Sequence, residues 1–377
     1  MTGKKKVVLI GSIPPPYHGS NVYFYNLTNS RIKDEFEIRH LDISDHRNLD
    51  NLSKLDLTNA YLALKNLLKL FFLIRKVKPE IVYIPVASNF LPYLRDGSFI
   101  LIASYFSRAK IIIHLHEGDY FKKVFYAGSN SAVKYFIRHS LSKVSTGIVY
   151  SESLKNNFTG FVKNIVAFPN GLESDESGKN NKFDKYVKAE IKVSFYSNLF
   201  ESKGVLDILN AAAIVKQDYP GIEFIFTGEW SQQEMETKIN AEKIILKNNL
   251  KSSVMFSGII SGNEKRKLLS ETDVMVFPSW YPYEGCPMVI IEAMAYGCPV
   301  ISTKGVGIIS EMVIDGVTGI LVDKKNPGQI AEAVIKLAND PVLREKMGNA
   351  GRERFEKYFT LDKNVDNIIN TFTKELN

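Results

Sequence analysis

Glu284-Gly-Cys-Pro-Met-Val-Ile-Ile-Glu292-Ala-Met-Ala-Tyr296 decides the fold of this chain, because it joins a polar loop to an apolar helix. Proline is tolerated in the first turn of a helix and a glycine follows the last apolar residue, so we predict a helix over residues 287–296. Residues 272–279 and 298–302 predict buried parallel strands on either side of it. In such a strand-loop-helix-strand unit, free backbone N–H groups at the helix start can hold a phosphate.

The two carboxylates of this stretch have different surroundings. Glu284 lies in a loop bounded by proline and glycine, whereas Glu292 is the only charged residue of an otherwise apolar helix. Burying an unpaired carboxylate costs several kcal/mol, so Glu292 must meet hydroxyl groups, backbone donors or a cation. One interpretation is a structural salt bridge or a position on the wet edge of the helix. The other is a ligand site at the carboxyl edge of a parallel sheet.

Length and composition indicate a globular protein with two domains. The 377 residues fit two domains of about 150–200 residues, and the 45% apolar and 24% charged residues are ordinary for that class. No apolar run reaches the roughly 18–20 residues of a membrane helix, and we expect residues 1–11 to form a first strand, not a signal peptide. Cys286 and Cys298 are too few for a disulfide framework or a metal cluster, which favours a reducing cytoplasm with both as small buried residues.

The net charge of +7 is unevenly distributed along the chain. Residues 1–175 carry 23 Lys and Arg against 14 Asp and Glu, a balance of +9, whereas the remainder has a balance of −2. The first half therefore favours an anionic partner such as a membrane surface, a lipid-phosphate acceptor or nucleic acid. Nucleic acid is the weakest of these, since the sequence contains no recognised binding module.

The chain contains two similar series of strands and helices. Residues 6–11 and 191–196 each predict a strand that leads through a polar loop into an apolar-periodic helix. Alternation of this kind predicts two doubly wound parallel sheets, with a ligand site in a cleft at their strand ends. The further predicted strands are residues 80–86, 110–116, 222–228 and 254–258. Residues 174–182 contain no apolar side chain and predict a linker.

The stretch from Glu284 to Val300 resembles the E-x7-E signature of the retaining glycosyltransferases of family 4, also called group 1 glycosyl transferases. This resemblance implies the GT-B fold, an α/β fold of two Rossmann-like doubly wound domains that face a cleft. It also implies the domain limits. They are an acceptor-binding domain over 1–173, a linker over 174–190, a nucleotide-sugar-binding domain over 191–360, and a helix over 361–377 that packs back on the first domain.

The resemblance also implies roles for individual residues. Glu284 would fix sugar hydroxyls near the breaking bond, and Glu292 would accept hydrogen bonds from the ribose. Lys203 would hold the diphosphate beside a helix start, and His116 would contact the transferred sugar. A metal site on His114 and His116 is not expected. The further residues expected at the nucleotide-sugar site are Gly19, Ser20, Ser197, Asn198, Gly228, Ile260, Gly285, Cys286, Pro287, Met288 and Val289.

The chain departs from the family pattern at three places. Ser197-Asn198 stands where many members have Gly-Arg, and asparagine can donate a hydrogen bond but brings no charge. Stabilisation of the leaving diphosphate is therefore expected to depend more on Lys203 and on the helix start. Ser20 stands where a second glycine is common in a loop that lets backbone approach the donor, and Glu117 stands where glycine is frequent.

The sequence thus predicts an enzyme that moves a sugar from a nucleotide-diphosphate donor, UDP-sugar favoured, to a hydroxyl acceptor with retention of configuration. Glu284, His116 and Lys203 are its candidate catalytic residues. No Asp-x-Asp triplet is present, so no metal or other cofactor is expected. A nucleotide-sugar epimerase or hydrolase on the same fold, or a non-catalytic nucleotide-sugar-binding subunit, remains open.

The expected setting is that of the family, bacterial surface polysaccharide or lipid-linked glycan synthesis. The expected partners are a nucleotide-sugar donor, a glycan or lipid-linked acceptor and an anionic membrane surface that meets the basic first domain. The expected location is the cytoplasm, with peripheral attachment to the inner face of the membrane. Residues 64–77 interleave Lys and Arg with apolar residues, which fits either a helix packed on a sheet or an interfacial surface.

Overall fold

The chain divides into two units. The computed structural model describes residues 3–14, 19–44, 57–174 and 190–377. The second unit is one continuous segment, residues 172–360, and the first combines residues 1–171 with residues 361–377. The linker is predicted over residues 174–190, of which 175–189 lie outside the described residues.

The first unit is built on one parallel sheet. Its strands are β1 (Lys5–Gly11), β2 (Phe36–Asp42), β3 (Ile81–Val86), β4 (Lys110–Leu115), β5 (Thr146–Val149) and β6 (Asn164–Ala167). They lie in the order β2-β1-β3-β4-β5-β6, all paired in parallel. The helices between them are α1 (Gly19–Asn29), α2 (Ile32–Glu35), α3 (Leu57–Val77), α4 (Phe90–Phe106) and α5 (Ser131–Leu141).

The C-terminal helix, Leu361–Leu376, belongs to the core of the first unit. Val365, Ile368 and Phe372 follow the three- and four-residue spacing of one helix face, and all three are fully buried. They join the core cluster that includes Tyr83 of β3. The Asn364 side chain donates a hydrogen bond to the Pro169 carbonyl at 2.7 Å, which fixes this helix to the end of the preceding segment.

The second unit repeats the same plan. Its strands are β7 (Ile191–Tyr196), β8 (Ile222–Thr227), β9 (Val254–Phe256), β10 (Val274–Phe277), β11 (Val300–Thr303) and β12 (Gly319–Val322). Its helices are α6 (Val205–Asp218), α7 (Met235–Lys247), α8 (Gly262–Glu271), α9 (Met288–Ala295), α10 (Ile309–Met312), α11 (Pro327–Asn339) and α12 (Pro341–Tyr358). The parallel order β12-β11-β10-β7-β8-β9 confirms the predicted α/β class with two doubly wound sheets. Because the order reverses between β7 and β10, a crevice forms where these two strands end.

The decisive stretch forms α9, one residue shorter at each end than predicted. Pro287 has φ −66° but ψ 117°, so it precedes the helix instead of opening its first turn. Tyr296 ends the helix with ψ 6°, and Gly297 follows at φ 57°, a left-handed conformation that glycine adopts at little cost. The six residues from Ile290 to Ala295 are buried, so this helix is covered on all sides.

Membrane-spanning segments were sought among the helices of the described residues. None of these helices combines the length and the apolar content that crossing a bilayer requires.

Candidate functional site

Glu284 follows β10 and is bound by two side chains of the second unit. Lys203 Nζ lies 2.6 Å from Glu284 Oε2, and Ser279 Oγ donates to the same oxygen at 2.7 Å. The Lys203 ammonium also lies over the Tyr281 ring, 4.5 Å from its centroid. Both partners of the ion pair are largely shielded from water. The predicted catalytic residues Glu284 and Lys203 are therefore in direct contact.

The loops after β7 and β10 are joined by backbone contacts. The Trp280 N–H donates to the Ser202 carbonyl at 2.8 Å. Gly204 has φ 86°, and a Cβ there would lie 2.7 Å from the Pro278 carbonyl oxygen. Glycine is required at this position both for the backbone angle and for the space. This contact holds Lys203 at the crevice between the two strands, directly before α6 begins.

A second glycine holds the Glu284 loop from the other side. Gly307 has φ 49°, and a Cβ on it would lie 2.2 Å from the Glu284 carbonyl oxygen. The neighbouring Ile308 N–H donates to the Gly285 carbonyl at 3.0 Å. The backbone of Glu284 and Gly285 therefore packs directly on a glycine that no larger residue can replace without movement.

Glu292 is buried in α9 and binds a cation. Lys265 Nζ of α8 lies 2.7 Å from Glu292 Oε1 and sits over the Tyr196 ring at 4.5 Å from its centroid. The second carboxylate oxygen, Oε2, is buried and has no hydrogen-bond partner among the described residues. Glu292 therefore binds a cation, as expected, but its Oε2 can still accept a hydrogen bond.

The Lys265 ammonium remains charged despite its position. Burial lowers the pKa of Lys265, but attraction by the Glu292 carboxylate and the effect of Tyr196 outweigh burial, so the pKa lies above its ordinary value. Burial also raises the pKa of Tyr196. A full positive charge therefore stays beside the Glu292 side chain at neutral pH.

The other predicted residues of the second unit surround the ends of β7, β8 and β9. Gly228 has φ 136°, and a Cβ there would lie 1.9 Å from the Ser197 carbonyl oxygen. Asn198 follows Ser197 and accepts a backbone hydrogen bond from Phe200. Ile260 is half-buried in the segment before α8. These residues line the same carboxyl edge as Lys203.

The start of α9 contains the remaining predicted residues. Cys286 is buried, Pro287 is the residue before the helix, and Met288 and Val289 form its first turn. No side chain caps the helix, so the backbone carries the positive end of the helix dipole. Such a helix start is suited to an anion.

The candidate residues of the first unit lie among aromatic side chains. His114 is a buried residue next to the last residue of β4, and His116 is the first residue after that strand. His114 Nδ1 bonds the Tyr83 hydroxyl, and His116 Nδ1 bonds the Tyr150 hydroxyl, each at 2.6 Å. The two imidazole rings lie with centroids 4.1 Å apart, so His114 and His116 lie on the same face of the sheet.

Both imidazoles are uncharged. Burial lowers the pKa of His116 to about 3, and burial together with the neighbouring His116 lowers the pKa of His114 well below its ordinary value. Tyr23 of α1 contacts the His116 ring at a centroid distance of 5.1 Å. Gly19 and Ser20 open the same helix α1, while residues 15–18 of the predicted glycine loop lie outside the described residues.

Glu117 adds a carboxyl group to this edge. Its Oε1 accepts a hydrogen bond from the Ser88 N–H at 3.4 Å, and its Oε2 is buried with no partner among the described residues. Burial raises the pKa of Glu117 to about 7, against the opposing effect of the Ser88 hydrogen bonds. This carboxyl group is therefore close to half protonated at neutral pH.

Three residues of the candidate site were not identified from the sequence. Lys265 stands in the highly charged segment of α8, where its spacing of four from buried Leu269 is the one signal that it faces inwards. Ser279 was placed in a strand, but it lies beyond the end of β10, where its side chain reaches Glu284. Gly307 had no distinguishing pattern, because its role depends on a backbone contact with a distant loop.

Comparison with known proteins gives relatives of this chain. Residues 178–354 match the family model described as glycosyl transferases group 1. Capsular polysaccharide biosynthesis glycosyltransferase CapM of Staphylococcus aureus is 27% identical over 333 residues, which cover 83% of this chain and 82% of CapM.

Solved structures share the fold over almost the whole chain. HepE of Anabaena in complex with UDP matches with a TM-score of 0.70 at 16% identity, covering 98% of this chain and 100% of HepE. Sucrose-phosphate synthase of Thermosynechococcus elongatus matches with a TM-score of 0.72 at 17% identity, covering 98% of this chain and 99% of that protein. The comparisons lead to one conclusion: residues 178–354 resemble the group 1 glycosyl transferases, and almost the whole chain shares its fold with HepE and sucrose-phosphate synthase.

Proposed function

We propose that this chain transfers a sugar from a nucleotide-diphosphate donor, with a UDP-sugar favoured, to a hydroxyl acceptor with retention of anomeric configuration. The choice of UDP is supported by HepE, which has been crystallised with UDP and with UDP-glucose. Retention is supported by the resemblance to family 4.

The observation that carries the proposal is the free oxygen of Glu292. Lys265 binds this carboxyl group through Oε1 and compensates part of the cost of burying it. Its Oε2 is left without a donor, and an unsatisfied buried acceptor is costly. A ribose hydroxyl of the donor would supply the missing hydrogen bond, as ribose does for a carboxylate in dinucleotide-binding folds.

The diphosphate of the donor would replace Glu284 as the partner of the Lys203 ammonium. In the free protein the Lys203 ammonium pairs with Glu284, which keeps both side chains ordered at the crevice. A diphosphate carries more charge than a carboxylate and would attract the same ammonium more strongly. Glu284 would then be free to accept hydrogen bonds from sugar hydroxyls, while Lys203 and the backbone from Gly285 to Val289 stabilise the leaving group.

The remaining expected contacts complete this proposal. Ser197, Asn198, Gly228 and Ile260 would border the nucleotide, and His116 would contact the transferred sugar as a neutral hydrogen-bonding group. No metal or other cofactor is proposed, because Lys203 and helix-start amides would meet the diphosphate charge. Addition of a chelator should leave turnover unchanged.

The acceptor is proposed to be a growing glycan or a lipid-linked glycan, in surface polysaccharide synthesis. The support is the likeness to CapM, a capsular polysaccharide biosynthesis glycosyltransferase, and the excess positive charge of the first half of the chain. We also propose a cytoplasmic location with an anionic membrane surface as partner, since clustered Lys and Arg attract acidic lipids.

Nucleotide affinity of matched variants tests the role of Glu292. Glu292→Gln should weaken UDP binding by roughly 10- to 100-fold, the usual worth of hydrogen bonds to a charged acceptor. Lys265→Met should weaken it less, because Oε2 stays available. Glu236→Gln, an exposed carboxylate of α7, is the control. If Glu292 and Lys265 form a structural salt bridge alone, both variants will lower the melting temperature and leave UDP affinity unchanged.

Product analysis separates the competing reactions. The chain is incubated with UDP-sugars in the presence and absence of glycan acceptors, and the products are examined by mass spectrometry and by NMR of the anomeric proton. Transfer to an acceptor hydroxyl with the donor configuration is expected. A changed nucleotide sugar without acceptor would indicate an epimerase, free sugar a hydrolase, and tight binding without turnover a binding subunit.

A further inference from the structure

Helix α3 of the first unit carries an exposed apolar stripe. Tyr61, Leu64, Leu68 and Phe72 are spaced by three, four and four residues and therefore lie on one line along the helix. All four are exposed, from 52% for Leu68 to 66% for Phe72. The opposite face of the helix is buried by residues such as Leu70. A run of exposed apolar side chains at helical spacing marks an interaction surface.

Basic residues flank this stripe. At about 100° per residue, Lys65, Lys69 and Lys76 lie along one side of it, and Arg75 continues its line one turn after Phe72. None of these four cations forms an ion pair with another described residue. The outward face of α3 is therefore apolar along its centre and positively charged at its border, the pattern of an interfacial helix.

A cationic pocket lies at the end of this stripe. It has a volume of about 900 Å³ and is lined by Arg75, Lys78, Arg108 and Lys110 among others. None of these four side chains has an ion-pair partner among the described residues. The pocket lies at the amino edge of the sheet, where β4 begins, whereas the candidate functional residues of this unit follow the carboxyl ends of the strands.

The acidic residues at the pocket do not neutralise it. Glu80 is engaged by Lys5 at 3.6 Å and by the Lys6 N–H at 2.7 Å, and Glu375 accepts a hydrogen bond from Thr146. Because Glu80 and Glu375 are engaged by these other groups, the four cations of the pocket are available to an external anion.

Aromatic contacts make the stripe and the pocket one surface. The rings of Phe71 and Phe106 meet edge to face with centroids 4.9 Å apart, and Phe71 also contacts Phe72 of the stripe. Phe106 and Tyr105 line the pocket and are both exposed. Exposed aromatic rings next to cations are characteristic of side chains that sit at the headgroup level of a bilayer.

We infer that this surface docks on a bilayer rich in anionic lipid, with the stripe of α3 in the headgroup region and a lipid phosphate in the cationic pocket. The inference rests on the proposed membrane partner and names the face that meets it. A second copy of this chain is disfavoured as the occupant, because a symmetric interface would bring two unpaired cationic faces together. A nucleic acid is disfavoured by the exposed leucines and phenylalanines.

Vesicle binding tests the surface directly. The full chain is sedimented with vesicles of phosphatidylcholine alone and with an equal mixture of phosphatidylcholine and phosphatidylglycerol. Binding to the mixed vesicles that falls with salt is expected, together with little binding to phosphatidylcholine. The double variant Leu68→Glu with Phe72→Glu should lower the partition coefficient by more than roughly tenfold.

The matched control is Leu246→Glu with Val342→Glu. These residues of the second unit are 60% and 74% exposed, and the substitutions add the same two charges to helices. This control should bind vesicles as the unchanged protein does. Equal losses in both double variants would contradict the inference, because added negative charge alone would then explain them.

A second pair of variants tests the pocket. Arg75→Gln with Arg108→Gln should lower binding to mixed vesicles by roughly 25-fold, at about a factor of five per cation. Lys243→Gln with Lys247→Gln, exposed cations of α7, should have less effect. Inorganic phosphate should compete with mixed vesicles more strongly than chloride at equal ionic strength, and the Arg75 and Arg108 variant should lose this difference.

Three outcomes would overturn the inference. The first is no binding to mixed vesicles while phosphate still binds, which would make the pocket a site for free phosphate. The second is equal binding to both kinds of vesicle. The third is a dimer in sedimentation velocity that Leu68→Glu with Phe72→Glu dissociates, which would make the face an interface between copies. UDP affinity of each variant is measured in parallel, so failure of the donor site is distinguished from failure of the membrane surface.

Discussion

The carboxyl edges of the two sheets use opposite kinds of polar group. In the second unit the edge carries buried ion pairs, Lys203 with Glu284 and Lys265 with Glu292. In the first unit it carries imidazoles bonded to tyrosine hydroxyls, and burial keeps the pKa of His116 far below neutrality, at about 3. The second unit thus carries buried ion pairs at this edge, whereas the first unit carries uncharged imidazoles beside Glu117, a carboxyl group whose pKa is raised by burial.

This difference corresponds to the chemistry proposed for each unit. A diphosphate needs cations and helix-start amides, and buried carboxylates with paired lysines can supply and orient them. An uncharged sugar or glycan needs donors and acceptors without net charge, because an unpaired charge would have to be desolvated. Substitutions at the carboxyl edge of each sheet test this difference.

The largest expected effect is on the charged edge. Lys203→Met should lower kcat/KM by roughly 10²- to 10³-fold, the usual loss when one donor to a developing negative charge is removed. The measurement is sugar transfer from the preferred nucleotide donor. Lys304→Met, which breaks the exposed Lys304–Asp323 pair of the same unit, is the control and should leave transfer nearly unchanged. Equal rates for both variants would remove Lys203 from the mechanism.

A smaller, pH-dependent effect is expected on the neutral edge. Burial raises the pKa of Glu117 from 4.5 to about 7, so the folded chain holds a proton that the unfolded chain releases between these pH values. Stability therefore falls as the pH rises through this window, and the full cost is present above about pH 7. Glu117→Gln removes the cost and should stabilise the protein by up to about 3 kcal/mol at pH 8, with no gain near pH 4.

Denaturant unfolding at a series of pH values measures this gain. Glu152→Gln is the control, since Glu152 is exposed and pairs with Lys155 one turn away. Its effect on the free energy of unfolding should be small, because exposed ion pairs contribute little. If the stability difference between Glu117→Gln and the unchanged protein does not vary with pH, the first unit does not exclude charge at this position.

The smallest effect concerns the backbone that supports the charged edge. Gly307→Ala places a Cβ against the Glu284 carbonyl, so the Glu284 loop must shift, whereas Gly316→Ala meets the same kind of positive φ with no atom within 4 Å. Backbone strain alone costs about 1–2 kcal/mol in each. Gly307→Ala should lose about 1–2 kcal/mol more and should also weaken UDP-sugar binding. Identical melting temperatures and affinities for the two variants would show that Gly307 does not position Glu284.

Local patterns predicted part of the secondary structure. Apolar runs identified β1, β3 and β4 of the first sheet and β7 to β11 of the second to within a few residues, since strands covered on both faces need continuous apolar side chains. The strands β2, β5, β6 and β12 were not predicted. The α9 helix was predicted one residue too long at each end, because proline fixes φ but not ψ and Pro287 takes an extended ψ. The strands predicted over residues 272–279 and 110–116 were also too long, because Ser279 and His116 both lie beyond the last residue of the observed strands.

The candidate site was predictable in its carboxylates but not in their partners. Glu284 and Glu292 were identified by their positions around a predicted helix start and by the resemblance to the E-x7-E signature. Lys265 was missed because its neighbours Arg266 and Lys267 are also basic. Which of these three side chains reaches Glu292 depends on how α8 packs against α9.

The sequence by itself determined that two carboxylates would lie at the carboxyl edge of a parallel sheet, because strand and helix periods are properties of a short segment. Only the tertiary structure decided which cation each would meet. Lys203 and Glu284 are 81 residues apart, and Lys265 and Glu292 are 27 apart. The first pair exists because β7 and β10 are neighbours in the sheet. Strand order arises from the packing of the whole unit, and no local pattern encodes it.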